Sequence, residues 1–279
     1  MAVSNAISWE RAVRTLIEDR DRQALVEACY FDLPLTRAAE RYRESEEWRA
    51  MRGLIGTPRG IAVDVGAGNG IVSYALAKDG WSAVAVEPDP SDLVGAGAIR
   101  GLAAAGGVAI DVREGFGEGL PLAAHEASLV IARQVLHHAR DLPAFAREIA
   151  RVLAPGGLLV STRDHVITGP HQLQVFLDAH PLHYLYGGEN AFSIAQYRSA
   201  FSGAGLRIEK ELGAFDSVIN YAPQSPETLR LEIAARFGPL GAAARTALKP
   251  APLFNVAMRV LSYIDRRPGR VVSFVCRKV

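Results

Sequence analysis

The stretch VDVGAGNGIVSYALA, Val63 to Ala77, decides the fold. A short apolar run leads into a five-residue turn with three glycines, and apolar residues then return at helical spacing. That order predicts a buried strand, a tight turn and a helix. Outward from it, strands are expected over 61–65, 82–87, 108–113, 128–132 and 157–163, with helices over 69–79, 91–104 and 142–153. Leu142, Phe145, Ile149 and Val152 form one apolar stripe on the last of these helices, which APGG at 154–157 stops. Such alternation implies right-handed crossovers and a doubly wound, mostly parallel α/β sheet covered on both faces.

Before the first strand, residues 8–55 place Trp9, Val13, Leu16 and Ile17, then Tyr42, Trp48 and Met51, at helical spacing. Two or three helices are expected there, with Tyr30, Phe31 and Tyr42 available to line a lid. Farther on, Ser193 and Gln196 make a capping-box pattern, so a helix runs from there to Gly203 or Gly205. LRIEKEL (206–212) and GRVVSFVCRKV (269–279) read as strands, separated by a proline-containing helical insertion. Within it, Leu253, Val256, Val260, Leu261 and Ile264 predict an apolar helix face, suited to the core or to a homodimer contact. The expected division is a helical cap at 1–57, a core at 58–213, the insertion at 214–268 and a final core strand at 269–279.

Charge nearly cancels: 31 Lys and Arg face 30 Asp and Glu, a net +1. No overall field recruits nucleic acid or an acidic membrane. The segment after the fourth strand, ARQVLHH, also lacks an aromatic Asn/Asp-Pro-Pro-Tyr base-flipping signature. The two cysteines, Cys29 and Cys276, form neither a disulfide framework nor a zinc pattern. With no signal-like start and no apolar run of ~18 residues, a cytoplasmic protein with no membrane span and a small-molecule partner is expected.

Missing side chains in the glycine turn let backbone N–H groups approach a ligand, and the helix dipole favours an anion there. Dinucleotides and S-adenosylmethionine both use such a turn. A dinucleotide fingerprint requires Gly-x-Gly-x-x-Gly or Ala, but Ile71 holds its last position and Gly70 comes one residue early. The sequence has instead Asp64-x-Gly66-x-Gly68-x-Gly70, whose acidic residue ends the strand and is expected to aim at the amino-acid end of a methionine moiety.

From these motifs and the stretch EGFGEGLPLAAHEASLVIARQVLHHARDLPAFAREIARVLAPGGLLV, the chain resembles the class I S-adenosylmethionine-dependent methyltransferases over roughly residues 60 to 165. The resemblance implies a Rossmann-like transferase that binds S-adenosylmethionine and releases S-adenosylhomocysteine. It implies that Glu87 bridges the ribose hydroxyls, and that Asp64, Gly66, Ala67, Gly68, Gly70, Pro88, Phe116, Gly117 and Arg133 complete the donor site. Where the family often has an acidic residue for adenine, Phe116 stands, so stacking and the backbone of Gly117 are expected instead. Phe116 as ordinary core is the competing reading.

All seven histidines fall between His125 and His183. His137 and His138 follow the fourth strand, and Asp164 and His165 follow the fifth, where an open parallel sheet presents ligands. Methyl transfer to a hydroxyl needs alignment of the acceptor and removal of its proton, which histidine suits. In relatives that methylate small-molecule hydroxyls, a histidine after strand four and an acid after strand five often serve, and the resemblance carries those roles to His137 or His138 and Asp164. His180, His183, Tyr184, Tyr186, Glu189 and Asn190 are expected to contact the acceptor, a sugar-like or glycosylated metabolite. A metal reading would use His180 and His183 with His165, His171 and Glu189, but Pro181 interrupts the pair, and no metal is expected. N- or C-methylation and a non-catalytic binding module stay open as alternatives.

Overall fold

A computed structural model describes residues 8–279; residues 1–7 of the expected cap lie outside the described residues. The chain begins with four helices, α1 (Trp9–Glu18), α2 (Gln23–Ala28), α3 (Leu35–Glu44) and α4 (Glu46–Ile55), where two or three were expected. The extra boundary comes from Ser45, whose hydroxyl accepts the Trp48 N–H at 3.0 Å and starts a new helix.

The alternating region follows as β1 (Ile61–Val65), α5 (Ile71–Lys78), β2 (Ser82–Val86), α6 (Ala96–Gly106), β3 (Ile110–Arg113), β4 (Ala127–Arg133), α7 (Leu142–Val152) and β5 (Leu153–Ile167). Helix α6 starts five residues later than the sequence suggests. Asp89 folds the chain first: its carboxylate accepts the Ser91 N–H at 2.8 Å and its carbonyl the Ala96 N–H at 2.7 Å. After β5 come α8 (His171–Ala179), α9 (His183–Tyr186), β6 (Phe192–Ser193), α10 (Ile194–Gly203) and β7 (Leu206–Leu212). The capping box is present, with Ser193 and Gln196 bonded reciprocally. The insertion holds α11 (Val218–Tyr221), α12 (Pro226–Arg236), α13 (Gly241–Ala247) and α14 (Ala251–Ile264), and β8 (Arg270–Lys278) closes the chain.

The strands form one sheet in the order β3-β2-β1-β4-β5-β8-β7, with β6 beside the end of β5. All pairings are parallel except those of β8, which runs antiparallel between β5 and β7. The order of strand addition reverses between β1 and β4, the switch point where such sheets bind ligands. One face packs on α7 and α10 through Phe145, Ile149, Phe201 and Phe274. The other packs on α5, α3 and α4 through Tyr42, Trp48, Met51, Tyr74 and Leu76.

Two expectations about packing change. Tyr42 is fully buried against Trp48 and lines no lid, so α3 and α4 belong to the core layer of the sheet. On α14 the buried stripe runs through Phe254 and Met258 against Leu229, while Leu253, Val256, Val260 and Ile264 are exposed. Phe254, Met258 and Leu261 keep helical spacing as well, and α12 covers that stripe rather than the expected one.

Candidate active site

The turn after β1 is built by glycines with different tasks. Gly66 has φ +65°, and a Cβ there would sit 2.3 Å from Val135 Cγ2, so the chain after β4 packs directly on the turn. Gly68 has φ +55°, and a Cβ there would meet no atom within 4 Å. Packing explains Gly66; open space beside the backbone at Gly68 is what a bound group would fill.

Glu87 stands just beyond β2, buried, its Oε2 accepting the Gly68 N–H at 2.7 Å and Oε1 the Asp89 N–H at 3.0 Å. Burial pushes its pKa up to about 7, against the two backbone bonds. Phe116 is 62% exposed, which removes the core reading and leaves an open aromatic face beside the Arg140 guanidinium. Gly117 lies against Phe145, with no room for a side chain. An open backbone cradle, a buried carboxylate with lone pairs to spare and an exposed ring fit the methionine, ribose and adenine parts of S-adenosylmethionine.

Two residues expected at the donor are engaged elsewhere. Asp64 turns inward, and its Oδ2 accepts the Ser73 N–H at 3.0 Å and the Ser73 hydroxyl at 2.7 Å. It anchors α5 under the sheet, and burial raises its pKa to about 7. Arg133 donates to Glu47 of α4 at 2.7 and 3.2 Å beneath the rings of Tyr30 and Tyr42. Its guanidinium ties the N-terminal helices to the end of β4. Sequence reasoning missed Glu47 and Asn69, whose side-chain amide donates to the Tyr30 carbonyl at 2.7 Å. The polar Asn69 among glycines was a usable signal, whereas Glu47 lies 86 residues from its partner and gave none.

The second group gathers at the ends of β4 and β5. Asp164 and His165 do not follow β5 but lie within it, after an irregularity in the β5–β8 register at Arg163, where φ is +60°. Such a bulge re-aims side chains. Asp164 is fully buried; its Oδ1 accepts from the His137 N–H at 3.2 Å and lies 3.1 Å from His137 Nδ1, and its Oδ2 accepts the Ser161 hydroxyl. It therefore holds His137 in place and does not reach an acceptor. His137 Nε2 lies 3.4 Å from Glu189 Oε2. Burial disfavours the imidazolium, but the Asp164 carboxylate at Nδ1 and the Glu189 carboxylate facing Nε2 outweigh it and raise the His137 pKa to about 9.

His138 and His165 differ from it. Burial and the charge of His137 hold both pKa values down, that of His165 to about 3. His138 Nδ1 is 2.8 Å from the Gly188 carbonyl and His165 Nδ1 2.7 Å from the Gly269 carbonyl. A carbonyl only accepts, so each Nδ1 carries the proton and each Nε2 is left as an acceptor. His138 keeps an exposed edge. His180 approaches Glu189 Oε1 at 3.7 Å, and the Tyr186 hydroxyl donates to that oxygen.

His180, Tyr186 and Glu189 thus join the cluster. Tyr184 turns outward to Arg22 of the N-terminal segment, and His183 and Asn190 are half-buried without hydrogen bonds to the cluster. Trp9 of α1 packs on Tyr186 with ring centroids 4.6 Å apart, so α1 covers this segment. Among the described residues, the His180–His183 pair brings no metal-ligand set together; the three groups that converge are His137, His165 and Glu189.

Comparison with known proteins agrees with this architecture. Residues 63–161 match the family model described as a methyltransferase domain. A ubiquinone biosynthesis O-methyltransferase of Azorhizobium caulinodans is 33% identical over 98 residues, 35% of this chain and 38% of that protein. The chain thus spans about two fifths of that relative. A namesake from Rhizobium etli is 25% identical over 62% of this chain and 68% of its own. Among solved structures, geranyl diphosphate C-methyltransferase from Streptomyces coelicolor, bound to Mg²⁺, geranyl diphosphate and S-adenosylhomocysteine, superposes with a TM-score of 0.60. That superposition covers 95% of this chain and 87% of that one at 15% identity. The [4+2]-cyclase SpnF superposes at 0.55, with 19% identity and 88% and 80% coverage. Residues 63–161 form a methyltransferase domain of the class I, S-adenosylmethionine-dependent type.

Proposed function

We propose that this protein transfers the methyl group of S-adenosylmethionine to a hydroxyl oxygen of a small molecule. The observation that carries the reading is His138 beyond the end of β4, whose Nδ1 is tied to the Gly188 carbonyl at 2.8 Å so that its Nε2 is left to accept a proton. S-adenosylmethionine supplies a methyl group on a sulfonium, already poised for in-line displacement. Gly68 and Glu87 hold the donor, and Phe116 stacks on its base. His138 takes the acceptor's proton, while Asp164 fixes the adjacent His137 and keeps the turn after β4 in register with it. Helix α1, through Trp9 and Tyr186, closes the acceptor side against water.

The convergent His180 and Glu189 support a hydroxyl-rich, sugar-like acceptor. A phenol is the second reading, since O-methylation in ubiquinone biosynthesis is what the relatives are named for. Methyl-labelled donor incubated with panels of polyols and phenols, followed by mass and NMR location of the label, tests both. The expected result is a methoxy product in one panel and a large loss of kcat in His138→Gln with donor affinity kept. Label on nitrogen or carbon, or donor binding with no turnover on any acceptor, would sink the hydroxyl assignment.

A further inference from the structure

The one buried acid atom of the cluster without a hydrogen-bond partner is Glu189 Oε2, on a side chain only 6% exposed. Around it, the other atoms are held so that one nitrogen of each ring turns inward. His165 is fixed at Nδ1 by the Gly269 carbonyl, which leaves its Nε2 as a free acceptor. His137 is fixed at Nδ1 by the Asp164 carboxylate, with Nε2 turned to Glu189 Oε2 at 3.4 Å, where it must release its proton to ligate an ion. Glu189 is fixed at its other oxygen by the Tyr186 hydroxyl. The rings of His137 and His165 meet edge to face at 4.8 Å.

We propose that His137 Nε2, His165 Nε2 and Glu189 Oε2 form a binding site for one divalent first-row transition-metal ion. One potential ligand atom from each of the three residues lies within 4.8 Å of the other two. Two ligands sharing an ion at ~2.1 Å each are separated by about 3.0–3.4 Å at tetrahedral or octahedral angles. The 3.4 Å between His137 Nε2 and Glu189 Oε2 already matches that spacing. Closing His165 onto the same point needs a contraction of at most about 1.4–1.8 Å, within the reach of side-chain rotations. Two imidazoles and one carboxylate suit zinc, iron, cobalt or manganese better than magnesium or calcium, which prefer all-oxygen sets. The outer partners, a carboxylate and a carbonyl on the two Nδ1 atoms, are those that orient metal-bound histidines. Three protein ligands leave open positions, where an acceptor oxygen or water can bind. Use of the ion on the acceptor rests on the methyl-transfer reading, whereas binding of the ion does not.

The test uses the full chain stripped with a chelator, then titrated with Co²⁺ and Zn²⁺ by calorimetry and followed by the visible absorption of Co²⁺. The expected result is one equivalent bound, with His165→Gln and Glu189→Gln each weakening uptake at least about tenfold. The exposed His171→Gln should leave it unchanged. Binding of S-adenosylhomocysteine is measured on every variant and reports separately on the fold and the donor site. No saturable uptake at roughly 100 μM ion, or uptake that Glu189→Gln leaves intact, would overturn the metal site and leave His137 as an imidazolium bridging Asp164 and Glu189. Failure of S-adenosylhomocysteine to bind the wild type would count against the donor site instead.

Discussion

Glu87 offers a test of the donor site that needs no acceptor. Its carboxyl is buried, its pKa lies at about 7, and the two N–H groups that reach it, from Gly68 and Asp89, leave further lone pairs on each oxygen. Ribose hydroxyls would donate to the ionised form, so binding favours the carboxylate and drives a proton off. With a free pKa near 7, about 9% of the molecules are ionised at pH 6 and about 91% at pH 8. Affinity for S-adenosylhomocysteine should therefore rise about tenfold, or ~1.4 kcal/mol, between those pH values. Calorimetry in buffers of different ionisation enthalpy should also show close to one proton released per ligand at pH 6. Asp64 has a pKa near 7 too, but its carboxylate is committed to Ser73, so Glu87→Gln separates the two. That variant should bind more weakly and lose the slope. Flat affinity across pH 6–8, or a slope that survives Glu87→Gln, would refute the assignment of Glu87 to the ribose.

Gly68→Ala should keep the fold at a cost of about 1–2 kcal/mol for the left-handed residue, yet lose donor affinity in calorimetry, because the new methyl enters the open space. Gly66→Ala should instead show its larger defect in thermal melting, since Val135 stands in the way. Phe116→Ala should weaken S-adenosylhomocysteine by about 1–3 kcal/mol while Phe116→Trp keeps affinity, and equal binding by all three proteins would return Phe116 to an idle surface residue. Glu47→Ala strands the Arg133 guanidinium, only 14% exposed, and should cost about 3–5 kcal/mol in urea unfolding; a loss below ~1 kcal/mol would show that water satisfies Arg133.

Local signals in the sequence carried far. The glycine turn, the stripe on α7 and the capping box of Ser193 and Gln196 each depend on residues a few positions apart, and each element formed where the pattern put it. Expectations shifted where a distant partner decided. The α14 stripe was decided by Leu229 of α12, which packs on Phe254 and Met258. The two N-terminal helices nearest the core looked like a separable cover, yet Trp48 and Tyr42 fill the same layer as Tyr74 and Leu76. Asp164 and His165 read as loop residues because the bulge at Arg163, which lets β5 continue to Ile167, leaves no mark in composition.

The same limit explains why LHH could not be divided between structure and chemistry. His137 and His138 are neighbours with ring centroids 4.1 Å apart, but one is buried and the other keeps a solvent edge. Consecutive side chains of a tight turn point in different directions, so each meets its own set of partners. Those partners come from elsewhere: Asp164 from β5 and Glu189 from the segment before β6 enclose His137, while the Gly188 carbonyl receives His138. Two carboxylates hold a positive group at the first ring, and that positive group disfavours a second at the next. Burial and the charge of its neighbour together keep His138 neutral. Two adjacent histidines of identical chemistry acquire opposite protonation through contacts 27 residues or more away, and only the folded sheet supplies those contacts.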